Sequence, residues 1–269
     1  MKLKVLVDNN TYIDQYFLGE PAASYYIECG GKKILFDTGY SDIVVSNAEK
    51  MGIDLGSLDY IVISHGHDDH TRGLKFINER FDISNIKLIS HPECFDPKFF
   101  EDNFIGSPFS LDEIKSFTDY LPCKGTFNIT DDLVFLGEVP VVCDFEKRYS
   151  IGEKHVDGKK TEDHLIEDSA VVYKNEDGLF IITGCSHCGI CNIIEYAKKI
   201  CKDDRIIGVI GGFHLFEDDE RLKYTVEYLE SNKIETLYPC HCVSLKAKAK
   251  MMSRLNVKEV GVNMEISIK

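Results

Sequence analysis

Short apolar runs separated by turn residues alternate with longer amphipathic stretches along the chain. In the first half, the runs Lys2–Val7, Tyr25–Cys29 and Lys33–Asp37 predict strands, with Gly30-Gly31 as the turn of a hairpin. The β-branched run Tyr60–Ser64 predicts a buried strand. The pattern therefore begins with sheet and continues with alternating strands and helices.

The first half also contains two helical patterns and two irregular segments. Helices are predicted at Ser41–Met51, ending before Gly52, and from about Thr71 to Arg80. Residues 92–130 contain four prolines among aromatic residues and lack an apolar core of their own, so we interpret them as an inserted lid-like segment. Residues 147–168 are charged and turn-rich, which predicts a mobile flap.

The second half repeats the alternation. A hairpin is predicted at Ala170–Lys174 and Leu179–Thr183, around the turn Asp177-Gly178. The later helices and strands are predicted at Gly189–Cys201, Ile206–Ile210, Asp218–Ser231, Thr236–Tyr238, Ser244–Leu255 and Val257–Val262. Two β-rich halves that each end in helices predict an α/β (α+β) fold, a four-layer αββα sandwich in a single domain spanning residues 1–269.

Composition narrows the function classes. The formal net charge of −14 argues against nucleic-acid and anionic-membrane partners, because both require clustered Lys and Arg. No apolar run approaches the ~20 residues of a membrane-spanning helix, and the N-terminus lacks a secretory pattern. We therefore expect a cytoplasmic protein that acts on a small molecule, with ten cysteines that are free thiols, buried apolar residues or metal ligands.

A cluster of ligand-type residues follows the predicted strand Tyr60–Ser64. In an extended loop, His65 and His67 project to the same side and can bind one cation. Asp69 and His70 project differently and can bind a second cation. A surface run with accidental histidines is the alternative, but four such residues within six positions, directly after a buried strand, form a specific signal.

Four motifs resemble those of the metallo-β-lactamase superfamily, and they occur in the order expected. Ser64–Leu74 resembles the HxHxDH signature, and Phe36–Gly39 resembles the upstream motif whose Asp braces the metal loop. Ile182–Gly184 resembles the later strand that ends in a metal ligand, and Pro239-Cys240-His241 resembles the last His motif. The resemblance implies the metallo-β-lactamase fold and a metal-dependent enzyme.

Three segments resemble a narrower branch of that superfamily. Gly184–Asn192, Gly211–Leu215 and Pro239–Cys242 are similar to the dihydropterin-linked branch, that of 7,8-dihydropterin-6-methyl-4-(β-D-ribofuranosyl)-aminobenzene-5′-phosphate synthase. Many relatives in this branch are described only as metal-dependent hydrolases, so the resemblance does not fix a substrate.

The chain departs from the superfamily pattern at Cys185, where a bridging Asp is usual. Cys185 is therefore either a thiolate ligand, which favours zinc, or a small buried residue behind the site. We expect His187 to supply a ligand from the same turn. His214, at the end of another strand, is expected to contact the substrate, with a buried core histidine as the alternative.

The spacing of Cys185, Cys188 and Cys191 also resembles part of an iron–sulfur binding run. A ferredoxin-like run needs a fourth Cys, and here a helix is predicted from about Gly189. We therefore expect one candidate ligand and two packing thiols.

These observations predict a binuclear centre with two zinc ions per chain, iron or manganese being the alternatives. The expected ligands are His65, His67 and His187 for the first ion and Asp69, His70 and His241 for the second. The predicted reaction is hydrolysis of an ester- or phosphate-type small molecule by a metal-bound hydroxide, with Asp69 also acting as the catalytic carboxylate. Two alternatives stay open: a dihydropterin pyrophosphate-dependent transferase using the same metal site, and a non-enzymatic metal or redox sensor.

Overall fold

A computed structural model describes residues 1–269, which divide into two compact units. The first unit comprises residues 1–124, 149–167 and 261–269, and the second comprises residues 125–148 and 168–260. The strands are β1 (Lys2–Val7), β2 (Ser24–Cys29), β3 (Lys32–Phe36), β4 (Tyr60–Val62), β5 (Lys87–Ser90), β6 (Lys98–Phe100), β7 (Asn103–Phe104), β8 (Asp119–Pro122), β9 (Phe127–Asn128), β10 (Leu133–Phe135), β11 (Glu153–Val156), β12 (Lys159–Glu162), β13 (Ala170–Asn175), β14 (Gly178–Thr183), β15 (Ile206–Gly211), β16 (Leu237–Pro239) and β17 (Glu265–Ser267). The helices are α1 (Ile43–Lys50), α2 (Asp68–Thr71), α3 (Gly73–Arg80), α4 (Leu111–Phe117), α5 (Ile190–Cys201), α6 (Glu220–Ser231) and α7 (Leu245–Met252).

The first unit is built on a seven-stranded sheet in the order β17-β1-β2-β3-β4-β5-β8. The predicted hairpin around Gly30-Gly31 is confirmed, since β2 and β3 pair antiparallel. Strands β3, β4, β5 and β8 run parallel, which places their carboxyl ends at one edge of the sheet. The buried face of this sheet includes Leu35, Ile61 and Leu88, which pack together with Leu74 and Ile77 of α3.

The helix predicted from about Thr71 begins earlier and is interrupted. Helix α2 begins at Asp68, and Arg72 separates it from α3. The backbone N–H of Gly73 donates to the carbonyl of Gly39 at 2.9 Å instead of continuing the helical ladder. A Cβ on Gly73 would lie 1.8 Å from the carbonyl oxygen of Thr38, so only glycine allows this approach.

The second unit is built on a six-stranded sheet in the order β16-β15-β14-β13-β10-β9. The predicted hairpin β13–β14 is confirmed, and β14, β15 and β16 run parallel. Helix α5 buries Ile190, Ile193, Ile194 and Ala197, the positions that share one helical face, in the apolar core of this unit.

One predicted strand is wrong. Val257–Val262 is not a strand, and only Val257 pairs, through an isolated bridge with Leu237. A strand requires a run of backbone hydrogen bonds to a neighbouring strand, and this segment has only the bridge at Val257. Sheet pairing resumes at β17, which begins at Glu265 and pairs with β1. The apolar spacing of the segment alone did not reveal this.

The two irregular segments contain regular structure. Residues 92–130 include β6, β7, α4 and β8, and β8 extends the seven-stranded sheet by pairing with β5. Residues 147–168 include the hairpin β11–β12, which joins β6 and β7 in a four-stranded sheet. The lid, the flap and the single-domain interpretation stay predictions. None of the helices is long and apolar enough to cross a membrane.

Candidate metal centre

Asp37 lies at the end of β3, fully buried beside the end of β4. Its backbone has a left-handed φ of 57°, which turns the chain sharply after the strand. One carboxylate oxygen accepts from the backbone N–H of Ser64 at 2.7 Å, and the other accepts from the hydroxyl of Ser64 at 2.7 Å. Asp37 therefore fixes the first residue of the loop that carries the clustered histidines, as the resemblance implied.

The same hydrogen-bond network selects the tautomers of two histidines. The Nδ1 atom of His70 lies 2.6 Å from Oδ2 of Asp37, and since a carboxylate only accepts, Nδ1 carries the proton. The hydroxyl of Ser64 donates to Asp37 and therefore accepts from Nδ1 of His65 at 2.9 Å. In the neutral tautomers that these contacts select, both rings present an unprotonated Nε2, the form that binds a cation.

The donor atoms of the first unit converge. Nε2 of His65 and Nδ1 of His67 are 3.2 Å apart, and one ligand atom from each of His65, His67 and Asp69 lies within 4.8 Å of the others. Two nitrogens bound to one tetrahedral zinc at ~2.0–2.1 Å would be separated by about 3.3 Å. The residues present therefore fit a divalent cation.

His67 is buried and neutral at physiological pH. Burial, opposed in part by the negative charge of Asp69, lowers the pKa of His67 to about 4. A neutral imidazole is the form that a metal requires, so no proton has to be displaced at pH 7. Nε2 of His70 lies 3.6 Å from a carboxylate oxygen of Asp69, which places this pair in the same cluster.

Gly66, between the first two histidines, has a role that the sequence did not reveal. A Cβ at this position would lie 2.3 Å from the carbonyl oxygen of Cys94 and 2.5 Å from Cε of Lys98. The loop after β5 and the buried stem of Lys98 therefore pack directly on the His65–His67 backbone. Neither Cys94 nor Lys98 carries a local sequence signal, because both contacts are distant along the chain.

In the second unit, the other candidate residues follow three neighbouring parallel strands. Cys185 and His187 follow β14, His214 follows β15, and His241 follows β16. Because parallel strands end at the same edge, all of these residues belong to one loop cluster. The backbone N–H of Gly212 donates to the carbonyl of Gly184 at 2.7 Å and ties two of the loops together.

The side chains of this cluster form two close pairs. Sγ of Cys185 lies 3.2 Å from Nε2 of His241, and both residues are buried. The ring centroids of His187 and His214 are 4.6 Å apart, and His214 is partly exposed. The pairing of Cys185 with a ring nitrogen sets this thiol apart from a cysteine packed only among apolar side chains.

Strained backbone marks both sets of loops. Asp37, Ser186, His214 and His241 adopt φ angles of 57°, 55°, 50° and 51° although none is glycine. Each such residue costs on the order of 1–3 kcal/mol and persists only where its surroundings enforce it. The hydroxyl of Ser186, for example, donates to the carbonyl of Gly212 at 2.7 Å. Four of the eleven non-glycine residues with positive φ lie in these loops, and backbone strain of this kind is often found at functional sites.

Cys188 and Cys191 are packing residues. Both belong to the apolar core of the second unit. Burial, reinforced by Asp168 near Cys188 and by Glu146 near Cys191, raises the pKa of each thiol well above its usual value. This packing in the apolar core agrees with the prediction that Cys188 and Cys191 are packing thiols.

Comparison with known proteins identifies the family. The sequence profile of the metallo-β-lactamase superfamily matches residues 18–241. The chain therefore belongs to the metallo-β-lactamase superfamily, and it has the mixed α/β fold of that family, as the sequence predicted.

Two proteins of Methanocaldococcus jannaschii are similar to the chain along almost its whole length. An uncharacterized protein is 36% identical over 259 residues, covering 94% of both chains. The 7,8-dihydropterin-6-methyl-4-(β-D-ribofuranosyl)-aminobenzene-5′-phosphate synthase is 28% identical over 267 residues, covering 94% of this chain and 90% of the synthase.

A solved structure is also similar over the whole chain. A protein described as a metal-dependent hydrolase of the β-lactamase superfamily superposes with a TM-score of 0.85 at 26% identity. The match covers 100% of this chain and 99% of the other.

Proposed function

We propose that the protein is a metal-dependent hydrolase that acts on an ester- or phosphate-type small molecule. The observation that carries the proposal is the 3.2 Å separation between Nε2 of His65 and Nδ1 of His67, with the carboxylate of Asp69 in the same cluster. These donors are buried or half-buried, and the hydrogen bonds that Asp37 accepts from Ser64, and Ser64 from His65, orient the loop that carries them.

The proposed centre holds two divalent ions, with zinc favoured because imidazole nitrogens predominate among the donors. The ligands proposed in the first unit are His65, His67, Asp69 and His70. Those proposed in the second unit are His187 and His241, with Cys185 as a further ligand. A bound divalent cation would polarise the scissile oxygen and lower the pKa of water to ~7.

Asp69 and His214 act on the reacting molecules in this proposal. The side chain of Asp69 is 25% exposed, so its carboxylate can both bind a cation and accept a proton from the attacking water. The partly exposed ring of His214 can donate a hydrogen bond to a substrate oxygen, while its backbone carbonyl accepts from the Arg221 side chain at 3.4 Å.

A transferase is the second candidate, and one specific observation favours it. The similarity to the aminobenzene-phosphate synthase extends over 94% of this chain and is not confined to the metal motifs. In this form of the proposal, the same ligands bind the pyrophosphate of an activated dihydropterin, and an acceptor displaces it. No separate observation favours the sensor hypothesis, which stays a prediction.

The test is turnover by the zinc- or manganese-loaded protein on a phosphodiester, a lactone and a dihydropterin pyrophosphate with an aromatic acceptor. We expect turnover of at least one substrate, lowered by about 10²–10⁴-fold in Asp69→Asn because a positioned proton acceptor contributes that much. His164→Ala is the matched control, because this histidine is 48% exposed and forms an ion pair with a surface glutamate. Metal-loaded protein that converts none of the substrates would contradict the proposal, and pyrophosphate release that requires the acceptor would select the transferase.

A further inference from the structure

A buried lysine lies directly behind the histidine loop of the first unit. Lys98, the first residue of β6, is completely inaccessible to solvent. Its Nζ atom lies 2.8 Å from Oδ2 of Asp163 and 2.7 Å from Oε1 of Glu167, and both carboxylates are also buried. Although burial opposes its charge, attraction to Glu167 and Asp163 raises the pKa of Lys98, so the amine stays protonated.

The stem and backbone of Lys98 contact the loop that carries the metal-binding motif. Cε of Lys98 lies 2.5 Å from the point that a Cβ on Gly66 would occupy. The carbonyl of Lys98 accepts from the N–H of Ile105 at 3.0 Å, and the carbonyl of Ile105 accepts from the N–H of Asp68 at 2.9 Å. Strand β6 thus contacts the segment His65–Asp68 at Gly66 and is linked through Ile105 to Asp68.

The charged end of Lys98 contacts a second segment of the chain, residues 149–167. This segment contains the hairpin β11–β12, and β11 pairs with β6. The ring of His155 stacks on Phe99 with centroids 4.2 Å apart, and the backbone N–H of His155 donates to the carbonyl of Pro97 at 2.9 Å. Asp163 and Glu167 follow β12, beyond the part of the segment in which β11 pairs with β6. Their ion pairs with Lys98 therefore attach the C-terminal end of the segment.

We propose that Lys98 is a positioning residue: its ion pairs with Asp163 and Glu167 hold residues 149–167 on strand β6 and fix the Lys98 stem against Gly66, and this packing sets the separation of His65 and His67. The inference rests on the proposed metal centre.

Two physical arguments support this role. Gly66 lets the backbone between the two histidines move, so their separation depends on what packs against it. An apolar side chain could fill the volume of Lys98 without the cost of burying charge, so a gain in stability does not explain the ion pairs. Their effect is to restrict this region to a single geometry.

The experiment compares Lys98→Met and Asp163→Asn with the wild-type chain. In Asp163→Asn, Lys98 keeps a one-to-one pair with Glu167, so this variant remains informative if Lys98→Met does not fold. We expect both variants to bind zinc about 10–100-fold more weakly, the range for groups that orient metal ligands. The visible spectrum of the cobalt-substituted protein should also change, because the ligand geometry changes.

Hydrogen exchange on the metal-free protein provides a second measurement. The amides of β11, β12 and Asp68 should exchange faster in both variants than in the wild type. Lys160→Met is the matched control: Lys160 is an exposed lysine of β12 whose carboxylate partner, Glu153, is 3.9 Å away at the surface. This variant should leave zinc affinity, the cobalt spectrum and exchange unchanged.

The outcomes separate this inference from the proposed function. Variants that lose stability but keep the wild-type cobalt spectrum and zinc affinity would overturn the positioning role and leave the metal centre intact. A wild-type chain that binds no metal would overturn the proposed function and, with it, the role of Lys98 in spacing the ligands. Hydrogen exchange on the metal-free chain would then still decide whether Lys98 holds residues 149–167.

Discussion

The replacement of Asp37 by Asn tests how the buried carboxylate prepares a metal ligand. The amide keeps the shape of the side chain but places an N–H donor where Oδ2 now accepts from Nδ1 of His70 and from the hydroxyl of Ser64. Two donors then face each other at the 2.6 Å contact with His70. Either this hydrogen bond is lost, or the proton of His70 moves to Nε2, the nitrogen proposed to bind the metal.

The expected magnitude follows from the hydrogen bonds that Asp37 accepts. A hydrogen bond to a charged group contributes roughly 1.5–3 kcal/mol, and the variant loses at least the bond from His70. A loss of about 2 kcal/mol corresponds to about 30-fold in metal affinity. This value lies within the roughly 10–100-fold range for residues that orient metal ligands.

The assay is calorimetric titration of the metal-free protein with zinc, together with denaturant unfolding of the same samples. Asp59→Asn is the matched control, because Asp59 also accepts a backbone N–H, from Lys33 at 2.9 Å, but at an exposed position. We expect weakened zinc binding in Asp37→Asn and unchanged binding in the control. If Asp37→Asn lost stability but bound zinc as tightly as the wild type, Asp37 would only support the fold, and the tautomer argument would be refuted.

Three further predictions concern the same loops. Burial lowers the pKa of His67 from 6.5 to about 4, so between these pH values the unfolded metal-free protein binds a proton that the folded protein does not. About 3 kcal/mol of stability should therefore be lost as the pH falls from 6.5 to 4. Urea unfolding at several pH values in this range should show the loss in the wild type and not in His67→Gln. Gly66→Ala should cost about 1–3 kcal/mol through overpacking and reduce metal content, whereas Gly125→Ala, where a Cβ meets nothing within 4 Å, should do neither. The cadmium-substituted protein should show a sulfur-to-metal absorption band that disappears in Cys185→Asp, and its absence from the wild type would exclude Cys185 as a ligand.

Local patterns in the sequence were sufficient for the parts of the site that depend on a few consecutive residues. His65 and His67 share one loop, and their spacing after an apolar strand predicted that they project to the same side; Nε2 of His65 and Nδ1 of His67 are 3.2 Å apart. Asp69 was predicted to project differently, but its carboxylate lies in the same cluster as these two histidines. The same reasoning predicted that His214 and His241 follow strand ends, because the apolar runs that precede them form parallel strands.

Contacts between distant segments could not be predicted in this way. Lys98 and Asp163 are 65 positions apart, and neither lies in an unusual local pattern, so their buried ion pair is visible only in the folded chain. The incorrect strand Val257–Val262 has the same origin, because apolar spacing does not show whether a partner strand is available. The helix break at Arg72 likewise arises from the contact of Gly73 with Gly39.

The most direct test of the central claim is the metal content per chain of protein purified without added metal, measured by mass spectrometry together with acid-labile sulfide. We predict about two divalent ions per wild-type chain, fewer in His67→Ala and in Asp69→Ala, and an unchanged number in the surface control His164→Ala. A wild-type chain that contains no metal and takes up none on titration, or one that contains iron with sulfide, would contradict a centre built on the converging histidines.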